Sequence, residues 1–334
     1  MNKLSLKNSK LSSSFSRYGG ILIVLALFFS VYAIFTDTFL TVSNIVLILR
    51  QAATSLLMAF GLTIVFAAGS FDQSLGSVYG LTGMLAGLWA IAGMSIPMIL
   101  LLTSLVAVAF GLLNGLLITK TAVPAFIVTL GTQFIAKGIS YLSAQGRNYA
   151  VVRDDFNYIG TGIIAELPIQ IYYALFLFIV LSILLNQTKT GRHIQATGSN
   201  ATAAQFAGIQ TVRIKIFVHV LCSLMAGFAG VTNTARLFNA SPANELNSID
   251  PICAVVIGGT SMAGGNGTLI GTVFGALVMT VMANGLNHMG ISPYWQQVIK
   301  GVLIIAAVAL DGFKRENEQK QITRAIIKGE EEEA

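Results

Sequence analysis

The sequence predicts an all-α polytopic membrane protein of about ten transmembrane helices, with both termini in the cytoplasm. Of its 334 residues, 54% are apolar and only 10% are charged, whereas a soluble domain carries about a quarter charged residues. Glycine is also frequent, at 33 positions against 6 for proline. A chain of this composition would leave too much apolar surface in water, so the sequence favours a protein that lies in lipid.

The predicted spans are apolar runs of suitable length, because a hydrocarbon core of about 30 Å requires about 20 apolar residues in a helix. The clear runs are residues 18–35, 45–68, 75–93, 96–118, 123–142, 169–185 and 214–237. Three less certain runs follow, at residues 251–264, 269–286 and 295–310. The short, Gly-rich run 251–264 is compatible with either a full span or a re-entrant element.

The orientation follows from the cations, since Lys and Arg of short loops stay on the cytoplasmic side. They occur at the amino terminus, between the sixth and seventh spans, and after the last span: Lys3, Lys7, Lys10, Arg17; Lys189, Arg192, Arg213, Lys215; Lys314, Arg315. Six spans and then four separate these groups, and even numbers keep all three on one side. We therefore expect a cytoplasmic segment 1–17, one transmembrane domain 18–313 and a polar tail 314–334.

The loop between the sixth and seventh spans, residues 187–213, has an unusual composition. From Thr188 to Ile216 the chain carries cations and no acid, and small residues such as Ala196, Gly198 and Ala203 dominate it. An amphipathic helix on anionic lipid is one interpretation, but such helices present large apolar residues. We favour docking of a cytoplasmic protein.

Polar residues inside the spans are candidates for a solute pathway. Asp72 is the main one, since a carboxylate at the bilayer centre costs about 2.5–3.5 kcal/mol on insertion scales. It either caps the following helix at the membrane surface or lines the pathway. Weaker candidates offer amide donors and acceptors, although each is also suited to hydrogen bonds between helices: Asn114, Gln133, Asn233, Asn284 and Asn287.

Catalysis has no support in the sequence. The chain lacks the Gly-rich motif that ends in Gly-Lys-Ser or Gly-Lys-Thr, which binds nucleotide phosphates. His193, His219 and His288 share no ligand spacing, and Cys222 and Cys253 lie in apolar runs as small buried residues. We expect no catalytic residue, no metal, no cofactor in this chain and no nucleic-acid partner.

Four ordered motifs carry a family resemblance over residues 18–313. They are GSFDQSLGSVYGLTG (69–83), VPAFIVTLGT (123–132), TGRHIQATGSNATAAQFAGI (190–209) and AVVIGGTSMAGGNGTLIGTVFGA (254–276). The chain resembles the permease subunits of bacterial ATP-binding-cassette importers for monosaccharides, of the ribose permease type. The resemblance implies a type II importer fold in the inner membrane, a second permease copy or paralogue, a sugar-binding protein outside, and an ATPase subunit inside that uses ATP and Mg.

The same resemblance assigns the ATPase coupling motif to residues of the central loop: Gly191, Arg192, Ala196, Gly198, Asn200, Ala203, Ala204 and Gly208. The sequence departs from the family pattern at Gln73, where the family has an apolar Leu, and at Ala201, where an acid or Pro is common. Gln73 therefore joins the candidates for the substrate pathway.

The expected mechanism is alternating access, in which closure of the ATPase reorients the spans and the binding protein supplies most of the selectivity. The same architecture could import a nucleoside, a sugar-like signalling molecule or a branched-chain amino acid. An ion-coupled carrier is disfavoured, because such carriers bury several ionisable residues along an ion route, and Asp72 is the main one here.

Overall fold

The computed structural model describes residues 3–243, 249–306, 308–309 and 312, with side chains from Tyr18 onward. The first half comprises α1 (Lys3–Phe35), α2 (Val42–Ala67), α3 (Leu75–Ile91), α4 (Ile96–Lys120), α5 (Ala125–Ala144), β1 (Tyr149–Ala150), α6 (Asp154–Thr161), β2 (Ile163–Ile164), β3 (Leu167–Pro168) and α7 (Ile169–Gln187). The second half comprises α8 (Lys189–Ser199), α9 (Ala201–Phe206), α10 (Thr211–Leu237), β4 (Asn239–Ala240), α11 (Ile249–Ile257), α12 (Leu269–His288) and α13 (293–306).

Seven helices among the described residues are long and apolar enough to cross a membrane: α1 from Tyr18, α2, α4, α5, α7, α10 and α12. The α3 helix is apolar but has 17 residues. The protein is therefore a multi-pass helical membrane protein, and the number of ten spans stays a prediction. The tail 314–334 lies outside the described residues.

The predicted run 251–264 does not form one helix. The α11 helix ends at Ile257 after nine described residues, a length of about 14 Å, which is less than half of a bilayer core. The chain leaves the helix at Gly258 and Gly259, and Gly259 has a φ of +81°, a conformation that glycine adopts without strain. Beyond α11 the chain continues to Gly264 and Gly265, which contact Gly69 and Ala67 at the end of α2. A short helix is thus followed by an irregular segment, and the choice between a full span and a re-entrant element stays open.

The centre of the bundle is α10, which packs against α2, α3 and α4. Glycines allow the close approach: a Cβ on Gly83 would lie 2.8 Å from the carbonyl oxygen of Gly230, and one on Gly111 would lie 2.5 Å from the Cα of Val220. Small residues at helix contacts are expected in lipid, where no hydrophobic effect drives association and close packing must replace it.

Replacing Gly111 by leucine is expected to lower the melting temperature of the purified protein in detergent. The added side chain would displace the α10 backbone, and overpacking of this kind typically costs about 1–3 kcal/mol. Gly138 is the matched control, since a Cβ there meets nothing within 4 Å. Equal melting temperatures for Gly111→Leu and Gly138→Leu would contradict this packing.

The two ends of α10 define two faces of the protein. At its carboxyl end, β1 pairs antiparallel with β4, Tyr149 opposite Ala240. Arg153 beside this pair binds Asp155 at 2.7 Å, and its hydrogen bond lowers the pKa of the exposed Asp155 carboxyl. At the amino end, α8 and α9 lead into α10. Since the 27 residues of α10 measure about 40 Å, the β1–β4 pair and the α8 and α9 helices lie at opposite ends of the bundle.

Candidate functional site

The segment with cations and small residues folds into two short helices, α8 and α9, which we name the α8–α9 surface. The Thr188 hydroxyl accepts a hydrogen bond from the Gly191 N–H at 3.1 Å and caps α8. The Asn200 side chain accepts from the Ala203 N–H at 2.9 Å and caps α9. Such side-chain caps satisfy amide groups that a helix start leaves unpaired, so the sequence itself specifies the bend between the two helices.

The α8–α9 surface has one exposed and one buried side. Arg192, Asn200, Ala203 and Gly208 of the predicted coupling motif are exposed. The Phe206 side chain is 89% exposed at the end of α9. Phe is among the residues enriched in protein–protein interfaces, so Phe206 is a candidate contact for a partner protein. The sequence analysis missed Phe206, although an aromatic residue in a loop of small and polar residues was a usable signal.

Other members of the coupling motif face the protein itself. A Cβ on Gly191 would overlap the carbonyl oxygens of Leu184 and Leu185, and Ala204 is only 5% exposed. Ala196 and Gly198 are partly buried. These residues can set the position of the α8–α9 surface, whereas the exposed members can meet a partner.

Helix α8 and two connections meet at a contact that we name the glycine junction. Gly198 of α8 lies against Gly69, which follows α2, and against Gly264 and Gly265, which precede α12. The Gly265 N–H donates to the Ala67 carbonyl at 3.0 Å. Gly69, Gly264 and Gly265 all have positive φ, and the approach leaves no room for side chains. The α8–α9 surface is thus joined directly to α2 and α12.

A second candidate site is a polar cavity of about 210 Å³ between α2, α3, α10, α11 and α12. Its polar lining comprises Gln51, Thr54, Ser55, Tyr79, Asn233, Arg236, Asp250 and Thr280. Asp250 is held by Lys300 at 2.7 Å, and Arg236 Nη2 donates to Asn233 Oδ1 at 2.9 Å. Mixed polar and apolar linings of this kind are typical of pockets for small molecules.

Three polar atoms around this cavity lack a hydrogen-bond partner among the residues that the structure describes. They are Ser55 Oγ, Asn233 Nδ2 and Arg236 Nε. A buried polar atom without a partner is costly. A side-chain movement that turned these atoms towards the cavity would let them bind the hydroxyl groups of a solute. The sequence analysis missed Arg236, although its spacing of three residues from Asn233 places both on one face of a helix.

The predicted pathway residues do not converge on one site. Asn233 alone lines the polar cavity. Asn284 exchanges two hydrogen bonds with Asn44, at 3.0 and 2.8 Å, and Asn287 accepts from Gln296 at 2.7 Å. These two residues join helices in this structure. Gln133 and Gln73 are half-buried, and Gln133 Oε1 has no partner.

Asp72 is fully buried and does not line the polar cavity. Its carboxylate accepts from the N–H and the hydroxyl of Ser74, the residue that precedes α3, and so satisfies a donor at the start of that helix. Asp72 also bonds to His219, and Asn114 joins the same network through Ser74. A place for Asp72 on the solute pathway stays a prediction. In the part of the chain that the structure describes, no three His, Cys, Asp or Glu side chains are grouped as a metal site requires.

Comparisons with known proteins identify the family of this chain. Residues 44–308 match the family model described as the permease component of a branched-chain amino acid transport system. The chain belongs to this permease family. No solved structure matches the chain.

Two groups of curated relatives of this permease carry sugar names. The ribose import permease protein of Escherichia coli (strain K12) is 34% identical over 301 residues, which cover 88% of this chain and 93% of the relative. The corresponding protein of Bacillus subtilis (strain 168) is 34% identical over 85% of this chain and 89% of its own length. The galactose/methyl galactoside import permease protein of E. coli (strain K12) is 32% identical over 93% of this chain and 98% of the relative.

The resemblance found in the four motifs is therefore confirmed at the level of the family. The chain is a transporter component of the bacterial inner membrane and not an enzyme. Its partners in general terms are those of an importer of this class, an ATPase and a binding protein.

Proposed function

We propose that this chain is the transmembrane permease subunit of an ATP-driven importer for a ribose-like monosaccharide. The observation that carries the proposal is the 34% identity to ribose import permeases over 88% of the chain. The family description names amino acids, but the relatives described above are named for ribose and galactose.

The polar cavity supports a sugar over a branched-chain amino acid. The unpartnered atoms of Ser55, Asn233 and Arg236 match the several hydroxyl groups of a monosaccharide. The carboxylate of a branched-chain amino acid would find a partner in Arg236, but its apolar side chain would offer none to Ser55 or Asn233. A nucleoside or a sugar-like signalling molecule shares the hydroxyl chemistry, so the transport assay must include both.

The proposed topology has ten spans, cytoplasmic termini and a permease domain at residues 18–313, flanked by a cytoplasmic segment 1–17 and a polar tail 314–334. Two permease copies, or this chain and a paralogue, form the pathway in the lipid bilayer. The α8–α9 surface faces the cytoplasm and the β1–β4 pair faces outward. The chain itself holds no cofactor, and the ATPase subunit uses ATP and Mg.

Cysteine labelling tests this topology. Both native cysteines are buried, whereas Val152 is 81% exposed and Thr202 is also exposed. With an impermeant maleimide in intact spheroplasts, Val152→Cys is expected to react and Thr202→Cys to react only after the membrane is opened. Reaction of Thr202→Cys from outside would overturn the orientation.

The proposed mechanism is alternating access. A periplasmic or extracellular binding protein delivers the sugar to the outer mouth. Closure of the ATPase dimer then displaces the α8–α9 surface, and the glycine junction passes this displacement to α2 and α12. Both helices line the polar cavity through Gln51 and Thr280, so their movement changes its access.

The test is copurification of the chain with the products of neighbouring genes, followed by ligand-stimulated ATPase assays. The panel contains ribose, galactose, a nucleoside and leucine, each with the binding protein present. Stimulation by ribose or galactose above the other solutes is expected. Stimulation by the nucleoside or leucine alone would replace the sugar by that solute class.

Replacing Arg192 by glutamate tests the site of ATPase docking. Arg192 is exposed on α8. An exposed charge at the edge of an interface acts by pairing with an acidic side chain of the partner protein. Charge reversal is expected to reduce sugar-stimulated ATPase activity about tenfold, since like charges across an interface cost several kcal/mol. Lys120→Glu is the control at another cytoplasmic loop. Unchanged sugar-stimulated ATPase activity in Arg192→Glu would show that the α8–α9 surface is not the ATPase docking site.

A further inference from the structure

A chain of buried hydrogen bonds links four elements near the glycine junction. The Ser70 hydroxyl lies 2.8 Å from His219 Nε2, and His219 Nδ1 lies 3.2 Å from Asp72 Oδ2. Asp72 Oδ1 accepts from the Ser74 hydroxyl at 2.6 Å and from its N–H at 2.9 Å. Asn114 donates to Ser74 at 2.8 Å and accepts from Thr132 at 2.6 Å. We name these six residues the Asp72 network.

The direction of the hydrogen bonds is consistent along the whole network. On one arm Thr132 donates to Asn114, Asn114 to Ser74, and Ser74 to the carboxylate. On the other arm a His219 ring with its proton on Nδ1 donates to the carboxylate and accepts from Ser70. Both arms therefore end on Asp72, and hydrogen bonds in such series polarise and strengthen one another.

The residues resemble a hydrolase triad of Ser, His and Asp, but their surroundings do not permit catalysis. His219 and Asp72 are fully buried, and Ser70 is 6% exposed. None of the three lines the polar cavity. The Asp72 carboxylate is occupied by Ser74 as well as by His219. The network is a structural connection between helices.

The network joins the glycine junction to the rest of the bundle. Ser70, Asp72 and Ser74 form the connection from α2 to α3, and this connection begins at Gly69 in the junction. His219 lies on α10, Asn114 on α4 and Thr132 on α5. Breaking the network would leave buried polar atoms unpaired, at a cost of about 1–3 kcal/mol each, so these helices resist separation here.

We propose that His219 and Asp72 are positioning residues that make the α2–α3 connection, α4, α5 and α10 move as one rigid block with the α8–α9 surface. The proposal rests on the proposed importer function and adds the element that transmits the movement. Without the network, the ATPase still docks and hydrolyses ATP, but the helices move relative to one another at the α2–α3 connection. ATP is then consumed with less sugar moved.

The first test measures sugar transported per ATP hydrolysed in proteoliposomes that hold the complete complex. His219→Leu is expected to lower this ratio about fivefold or more while retaining ATP hydrolysis. His219→Gln is expected to restore part of the ratio, since its amide has a donor for Asp72 and an acceptor for Ser70. Val218→Ala is the control, because Val218 is buried in apolar contacts next to His219. Ser70→Ala, which removes a single hydroxyl, is the substitute if His219→Leu does not fold.

The second test does not depend on the solute. Spin labels at Val152 and at Thr202 on α9 report the length of the block. Val152 is held near the end of α10, because the Val151 N–H donates to the Phe238 carbonyl at 2.8 Å. Addition of ATP is expected to leave the wild-type distance unchanged and to shift or broaden the distance in His219→Leu. An unchanged distance in His219→Leu, or parallel loss of transport and ATP hydrolysis, would overturn the proposal. Absence of sugar transport by the wild type would count against the importer function alone.

Discussion

Sugar uptake is expected to fall tenfold or more when Gly198 is replaced by alanine. A Cβ on Gly198 would overlap the Ala67 carbonyl oxygen and lie 2.5 Å from the Gly265 nitrogen. Both neighbours are backbone atoms, so neither can move aside by a side-chain rotation. Overpacking typically costs about 1–3 kcal/mol, and about 1.4 kcal/mol corresponds to a factor of ten. The substitution therefore separates α8 from α2 and from the connection before α12.

The matched control is Gly131→Ala in α5. A Cβ at Gly131 meets nothing within 4 Å, so the same chemical change is made at a helix position with free space. Uptake of labelled ribose and ATP hydrolysis are measured for both variants in proteoliposomes. Uptake by Gly198→Ala within twofold of the control would show that the glycine junction is not required.

The second large effect is expected for Asn233→Leu. This change keeps the approximate volume of the side chain but removes the amide that lines the polar cavity and accepts from Arg236 at 2.9 Å. A sugar hydroxyl would then lose its partner, and Arg236 would lose an acceptor. Since each unpaired buried group costs about 1–3 kcal/mol, uptake is expected to fall about tenfold or more.

Thr232→Val is the control for this prediction. Thr232 is the buried neighbour of Asn233 on α10, and its hydroxyl donates to Ala229 of the same helix. It does not line the polar cavity. Both variants are first compared by thermal unfolding in detergent, and then by ribose uptake with the wild-type ATPase and binding protein. Equal uptake by the two variants would remove the polar cavity from the sugar pathway.

The spans could be predicted because one property, the length of an apolar run, decides them. Seven of the predicted runs correspond to helices long enough to cross a bilayer. The run 251–264 could not be resolved in this way, because its end depends on backbone conformation. Gly259, Gly264 and Gly265 adopt positive φ, and Gly264 and Gly265 do so where the connection meets α8 and the segment after α2.

The candidate site was less predictable because its contacts are remote in sequence. Asp72 was an evident candidate as an acid in an apolar region, but its partner His219 lies 147 residues away. Charge and residue size identified the α8–α9 surface, whereas packing alone shows that Gly191 and Ala204 face inward. Asn284 and Asn287 carry the amide donors and acceptors expected of pathway residues. Only their hydrogen bonds to Asn44 and Gln296 show that they join helices.

This chain is expected to move sugar only when an external ATPase drives it. The most direct measurement is ribose uptake into proteoliposomes with the binding protein outside and ATP inside, with and without the ATPase subunit. Uptake is expected with the ATPase and is expected to be absent without it, including under an imposed proton or sodium gradient. Uptake that persists without the ATPase would contradict the account and would favour an ion-coupled carrier.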